Sequence, residues 1–235
     1  MSRQQPVPCN GDCTAKTNSV FRYLTNEEQL QLSTDKGCNI YKRGNIIYRE
    51  GNKINGFYCI NKGIVKIFKT GTEGKEQIIR FAKQGDIIGF RSVLNGETAC
   101  STTKVVEDAI LCFIPTELLY HFIKTNSDFS LKLLQLVCKE LGESNSFLTD
   151  IAQKTVRERL AEVLIYLMGI FGLDNEKNIQ VSLTREELAN MVGTATESVI
   201  RLLSEFKSDK LIELNGRKIK ILDISGLNKI GNMYK

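Results

Sequence analysis

Glu197 and Arg201 stand four residues apart in the stretch 183–206, LTREELANMVGTATESVIRLLSEF. That pair of side chains can read DNA. A guanidinium donates two hydrogen bonds to guanine in the major groove, and a carboxylate accepts from the N4 amino group of cytosine. Thr194, Thr196 and Ser198 near them carry hydroxyls that can reach bases or phosphate. Arg185, Lys207, Arg217 and Lys218 add cations suited to anchoring phosphates at the groove edges. Taken alone, Glu197 and Arg201 also have the spacing of an ordinary helix ion pair, so their surroundings must decide.

The other chemistry-bearing set is sulfur. The chain has seven cysteines and one histidine, His121. No export signal precedes them, so a disulfide framework is not expected and most read as buried thiols. Cys9 and Cys13 form the one close cluster. A lone helical histidine gives no case for haem. No nucleophile–base pair, HExxH, P-loop or dinucleotide fingerprint is present, so the chain does not read as an enzyme.

Around Arg201 the pattern is that of two short helices about a tight turn. Leu188, Val192, Val199 and Leu202 fall on the inner faces, Ala189 is small where the helices touch, and Gly193 tolerates the turn. Thr194 has the spacing to cap the second helix, with Glu197 three residues on. Residues 180–183 look like a short strand leading in. KLIELNGRKIKILD reads as a hairpin turning at Asn215-Gly216. Helix-turn-helix plus hairpin makes a winged helix.

Upstream the periodicity differs. A helix is predicted over about 21–35, capped by Thr25. Between Asn39 and Pro115 short runs of Ile, Val, Phe and Tyr alternate with glycine turns, the signature of a β-sandwich or barrel. After Pro115, Leu134, Val137, Leu141, Ser144, Leu148, Ile151 and Thr155 recur at spacings of three and four. That is the stripe of a helix paired with a copy of itself. A second helix follows over 156–171, ended by Gly172. The expected class is α+β, in four parts: a flexible arm over 1–20, a β-rich domain over 21–126, a dimerisation helix over 127–155 and a winged helix-turn-helix over 156–235.

The bulk properties fit. The chain's 235 residues, 42% hydrophobic and 25% charged, suit a soluble protein of one or two domains. No apolar run is long enough to span a bilayer, so no membrane partner and a cytoplasmic location are expected. A net charge of +5 permits nucleic-acid binding without proving it.

The β-roll, the long helix and the winged helix together resemble the Crp/Fnr family of bacterial transcription regulators over nearly the whole chain. GDIIGF, SVLNGE and ILCFIP look like its oxygen-sensing branch, and the spacing of Glu197 and Arg201 matches the family's reading pair. The resemblance implies an N-terminal β-roll (a jelly-roll-like double-stranded β-helix) and a homodimer on a palindromic promoter site, with RNA polymerase as a partner. Dimer contacts would come from Leu134, Val137, Leu141, Leu148 and Ile151. The rival reading is a ligand- or redox-sensing module that acts on a protein partner without reading DNA.

The effector stays open. A cyclic-nucleotide pocket like the family's would lie at Gly89, Phe90 and Arg91 with Cys100 and Ser101. It needs a glutamate for the ribose and an arginine for the phosphate. Arg91 is the only nearby cation and stands at the wrong point, so cyclic AMP (cAMP) is disfavoured. A [4Fe-4S] cluster needs four thiolates. Cys112 holds the family's inner-ligand position and Cys9 and Cys13 sit in the arm, but the third arm cysteine is missing. The motif is incomplete, and the alternative is Cys112 as a buried apolar residue.

Overall fold

The computed structural model describes residues 19–71 and 73–231. It divides into two compact units. One takes the chain up to Gly74 and again Ile79–Gly142; the other takes Lys75–Ile78 and the chain from Glu143 on.

The first unit opens on a 3-10 turn, Val20–Tyr23, then α1, Asn26–Asp35. Thr25 caps α1: its side chain accepts from the Glu28 amide while the Glu28 carboxylate takes the Thr25 amide, a reciprocal box. The expected cap is therefore present. The residues before it form a separate turn, held by the Ser19 side chain.

Six strands follow: β1 Gly37–Tyr41, β2 Ile46–Tyr48, β3 Gly56–Thr70, β4 Glu76–Ala82, β5 Ile87–Ile88 and β6 Thr102–Pro115. They form one sheet in the order β1-β6-β3-β4, with β2 also on β6 and β5 also on β3. The sequence predicts many short strands. The structure instead has two long ones, β3 and β6, whose antiparallel register shifts between Ile60 and Val65. Extra residues at such bulges bend a ladder, so one long strand can serve both walls of a roll. Gly63 makes the bend possible. Its φ is +87°, and a Cβ there would meet the Asp108 carbonyl oxygen at 2.5 Å; only glycine fits.

The sheet buries both faces. Tyr41, Tyr48, Ile60, Val65, Leu111 and their neighbours fill the roll. The other face packs Phe57, Cys59 and Ile114 against helices: α1, α2 (Phe90–Asn95), α3 (Thr116–Thr125) and the first turns of α4 (Ser127–Gln153). Phe129 and Leu133 seat α4 in that core.

The second unit holds the end of α4 and then α5, Val156–Phe171, ended at Gly172 as the sequence predicts. Thr155, the last position of the expected stripe, is not part of α4: it caps α5 in a box with Glu158. Next come α6 Arg185–Val192, α7 Thr196–Ser208, β7 Ile212–Asn215, β8 Lys218–Ile221 and α8 Ile224–Ile230. The strand expected over 180–183 does not form; isolated bridges Leu173–Ile179 and Asn178–Lys220 take its place. The wing hairpin is present, but Asn215 pairs with Lys218. Its two-residue turn is Gly216-Arg217, one step later than expected.

Candidate nucleic-acid interface

α6 begins at Thr184, whose side chain caps the Glu187 amide and whose own amide is bound by the Glu187 carboxylate. It ends at Gly193, whose φ is +72°. The amides of Gly193 and Thr194 both donate to the Ala189 carbonyl, at 2.9 and 3.2 Å. That closure keeps Thr194 in the turn. The N-cap of α7 is therefore Ala195, not Thr194 as the sequence suggests, and no side chain caps the helix.

α7 is two-faced. Val199, Leu202, Leu203 and Phe206 are buried. Glu197, Ile200, Arg201 and Ser204 are exposed, and Thr196 and Ser198 are half-buried. The sequence reading missed Ile200. It is 49% exposed, one turn after Glu197 and beside Arg201. The signal was available: an apolar residue at i+3 on a face otherwise polar. Such a side chain suits the thymine methyl group.

Arg201 keeps its side chain 69% exposed, and its partner is Glu205, one turn on, at 2.6 Å. The spacing of Glu197 and Arg201 is that of a helix ion pair, but the structure pairs Arg201 with Glu205 instead. Lys207, Arg217 and Lys218 are exposed, the last two at the wing. Arg185 differs from expectation. It is partly buried, and its guanidinium donates to the Gly216 carbonyl at 2.9 Å, which braces the wing turn. Burial pushes its pKa down. No hydrogen-bond partner meets its other terminal nitrogen among the described residues.

The stripe on α4 is mostly uncovered. Leu134, Leu141 and Leu148 are 58%, 60% and 66% exposed. Val137 instead leans on the core of its own unit. Ile151 is partly covered, its Cδ1 lying 2.8 Å from where a Cβ on Gly193 would be.

The residues expected at the effector site sit in different surroundings. Gly89 starts α2, and Phe90 is buried in the core with Phe57 and Phe122. Arg91 pairs with Glu140 on α4 at 3.4 Å, alongside Arg80 at 2.9 Å. Cys100 is exposed, Ser101 is buried, and the Cys100 amide donates to Ser92. With Arg91 turned to Glu140, none of the five offers a cation to a cyclic phosphate. The interior holds Tyr48 and Tyr58, rings 6.2 Å apart, whose hydroxyls burial pushes up to about 12, so both stay neutral.

The cysteines are also placed differently. Cys112 on β6 faces Cys38 on β1 in register, and the two form a disulfide, where the sequence suggests no disulfides and leaves Cys112 either a cluster ligand or a buried strand residue; it is buried on β6. Both sulfurs are engaged, so neither offers a thiolate to a cluster. Cys9 and Cys13 lie outside the described residues. Among the described residues no group of three or more His, Cys, Asp and Glu side chains is placed to hold a metal. His121 lies in the middle of α3, its ring 5.8 Å from that of Phe122. No described helix is long and apolar enough to cross a membrane.

A roll followed by a winged helix with an arginine on its outward helix narrows the comparison, and the sequence meets it in both halves. Residues 39–126 match the cyclic nucleotide-binding domain, and residues 158–230 match the Crp-like helix-turn-helix domain. The chain belongs to the Crp/Fnr family. Electron transport regulator A of Shewanella oneidensis is 28% identical over 221 residues, 92% of this chain and 88% of that one. Transcriptional activator protein Anr of Pseudomonas protegens is 26% identical over 77% of this chain and 75% of its own. In structure, a putative transcriptional regulator of the family from Eubacterium rectale superposes with a TM-score of 0.77 at 20% identity, covering 91% and 97% of the two chains. This Crp/Fnr chain is thus a DNA-binding transcription regulator, and the reading as a module that never meets DNA falls away. The family consists of transcription regulators, not enzymes, and its members bind DNA as dimers.

Proposed function

We propose that two copies of this chain pair along α4 and bind a palindromic operator, each inserting α7 into the major groove, in response to a signal at the roll. The observation that carries this reading is the Arg201 guanidinium, exposed on a helix whose opposite face is buried. In the groove, Arg201 donates to guanine and Glu197 accepts from cytosine. Thr196 and Ser198 reach bases or phosphate. The amides at the start of α7 lack a side-chain cap, so a phosphate can satisfy them. Lys207, Arg217 and Lys218 anchor the backbone, and Arg185 holds the wing turn in place.

The domain limits we assign are the roll over 21–126, the dimerisation helix over 127–153 with a link that ends at the cap Thr155, and the winged helix over 156–235. Leu134, Leu141 and Leu148 form the main dimer seam, with Val137 and Ile151 at its edge. A regulator that sits on a promoter works beside RNA polymerase, in the cytoplasm.

The test is competition between a duplex selected by the protein and a random duplex. Arg201→Ala is expected to lose the preference while keeping salt-dependent binding to both. Preference retained in that variant contradicts the reading.

A further inference from the structure

The guanidinium that reads bases in this account is not left to swing. Nη1 of Arg201 donates to Oε1 of Glu205 at 2.6 Å. The second oxygen of Glu205, Oε2, accepts from Nη1 of Arg157 at 3.1 Å. Arg157 stands on the first turn of α5, and its Nη2 donates to Oδ2 of Asp209 at 2.7 Å. Its guanidinium carbon lies 4.9 Å from the centre of the Phe206 ring, which is fully buried. The anchor is therefore fixed by a carboxylate on one side and a core ring on another.

This arrangement changes what an i, i+4 pair does. An isolated exposed pair is worth only about 0.3–0.5 kcal/mol, because both long side chains must be ordered to form it. Here Arg157 orders Glu205 beforehand, and only Arg201 remains to settle. Arg201 has five donors in a planar fork. With Nη1 on Glu205, Nε and Nη2 remain, and two donors are what guanine O6 and N7 accept.

We infer that Glu205 is a positioning residue for base reading: clamped by Arg157, it sets the fork of Arg201 so that the free edge meets guanine. The inference rests on Arg201 being the base reader. It also has a signature that a purely structural role lacks. Glu205 is an anion one turn from a side chain aimed at a polyanion, so it opposes sequence-independent attraction to phosphate. Removing its charge should lower discrimination and raise affinity for random DNA.

The experiment compares the full-length wild type with Glu205→Gln, Arg157→Lys and Arg201→Ala. Anisotropy titrations use three duplexes: a selected one, the same duplex with the read guanine replaced by adenine, and a random one. Glu205→Gln is expected to cut the guanine-over-adenine ratio roughly fivefold, the low end of what a bidentate contact supplies, while random-duplex affinity rises. Arg157→Lys keeps the charge but loses the fork, and is expected to give a smaller loss of the same ratio. An unchanged ratio in Glu205→Gln, with the ratio lost in Arg201→Ala, overturns the inference and leaves base reading standing. A parallel fall on all three duplexes in Glu205→Gln also overturns it, in favour of a structural role. A ratio retained in Arg201→Ala overturns base reading itself and the inference with it.

Discussion

At the scale of single residues, Gly193 carries the turn on which the reading helix depends. Its backbone sits at φ +72°, and a Cβ would come within 2.8 Å of Ile151 Cδ1. Gly193→Ala is expected to lower the unfolding free energy by about 1–3 kcal/mol, the range for a strained left-handed residue, read from urea titration; an unchanged midpoint would show that the turn relaxes. Gly193, Glu197 and Arg201 were legible in the sequence because a turn between two apolar helices leaves them little freedom. The cap was not. Thr194 satisfies a local spacing rule, yet the Ala189 carbonyl takes its amide and delays the helix. The partner of Arg201 was also hidden, since choosing Glu205 over Glu197 depends on Arg157, which comes from a different helix.

At the scale of elements, the ladder between β1 and β6 is closed by Cys38–Cys112 across 74 residues. Loop-closure entropy makes a bond over that span worth about 4 kcal/mol. Urea unfolding of oxidised protein is expected to shift by up to that amount on adding a thiol reductant, and in Cys38→Ser the reductant should have no effect. Coincident curves for the wild type would mean that the bond contributes nothing. α1 has its own dependence, on acid. Burial pushes the Glu28 carboxyl up, but hydrogen bonds from Thr25, Asn126 and Thr125 outweigh it and hold the pKa below the usual 4.5. A depressed folded pKa contributes stability that is complete above about 4.5 and is lost as pH falls through the lower folded value. Glu28→Gln should therefore be less stable at neutral pH and converge on the wild type in acid; a constant gap would contradict this. The caps at Thr25 and Gly172 and the wing were readable because helix ends and tight hairpins are local. The disulfide and the two long strands were not. A bulged strand reads as two short ones broken at Gly63, and the Cys38–Cys112 register is set only when distant strands meet.

At the scale of the whole molecule, a seam along α4 stands beside a pair of probes. Leu134, Leu141 and Leu148 keep more than half of their surface exposed along one helix, and an apolar stripe at that spacing fits a second copy. Leu141→Lys places a charge in the seam. It is expected to shift sedimentation toward the monomer and to weaken operator binding with it; unchanged mass and affinity would contradict the seam. The stripe was legible because three-and-four spacing survives in sequence, whereas Val137 and Ile151 lie at its borders and lean on their own chain. The most direct measurement is selection of random-sequence duplexes by the purified protein. Paired α7 helices in successive major grooves predict an enriched inverted repeat, with guanine in each half-site and half-sites about 10–10.5 base pairs apart, absent when Arg201→Ala is used. An enriched motif without dyad symmetry, or one that Arg201→Ala still selects, would contradict the account.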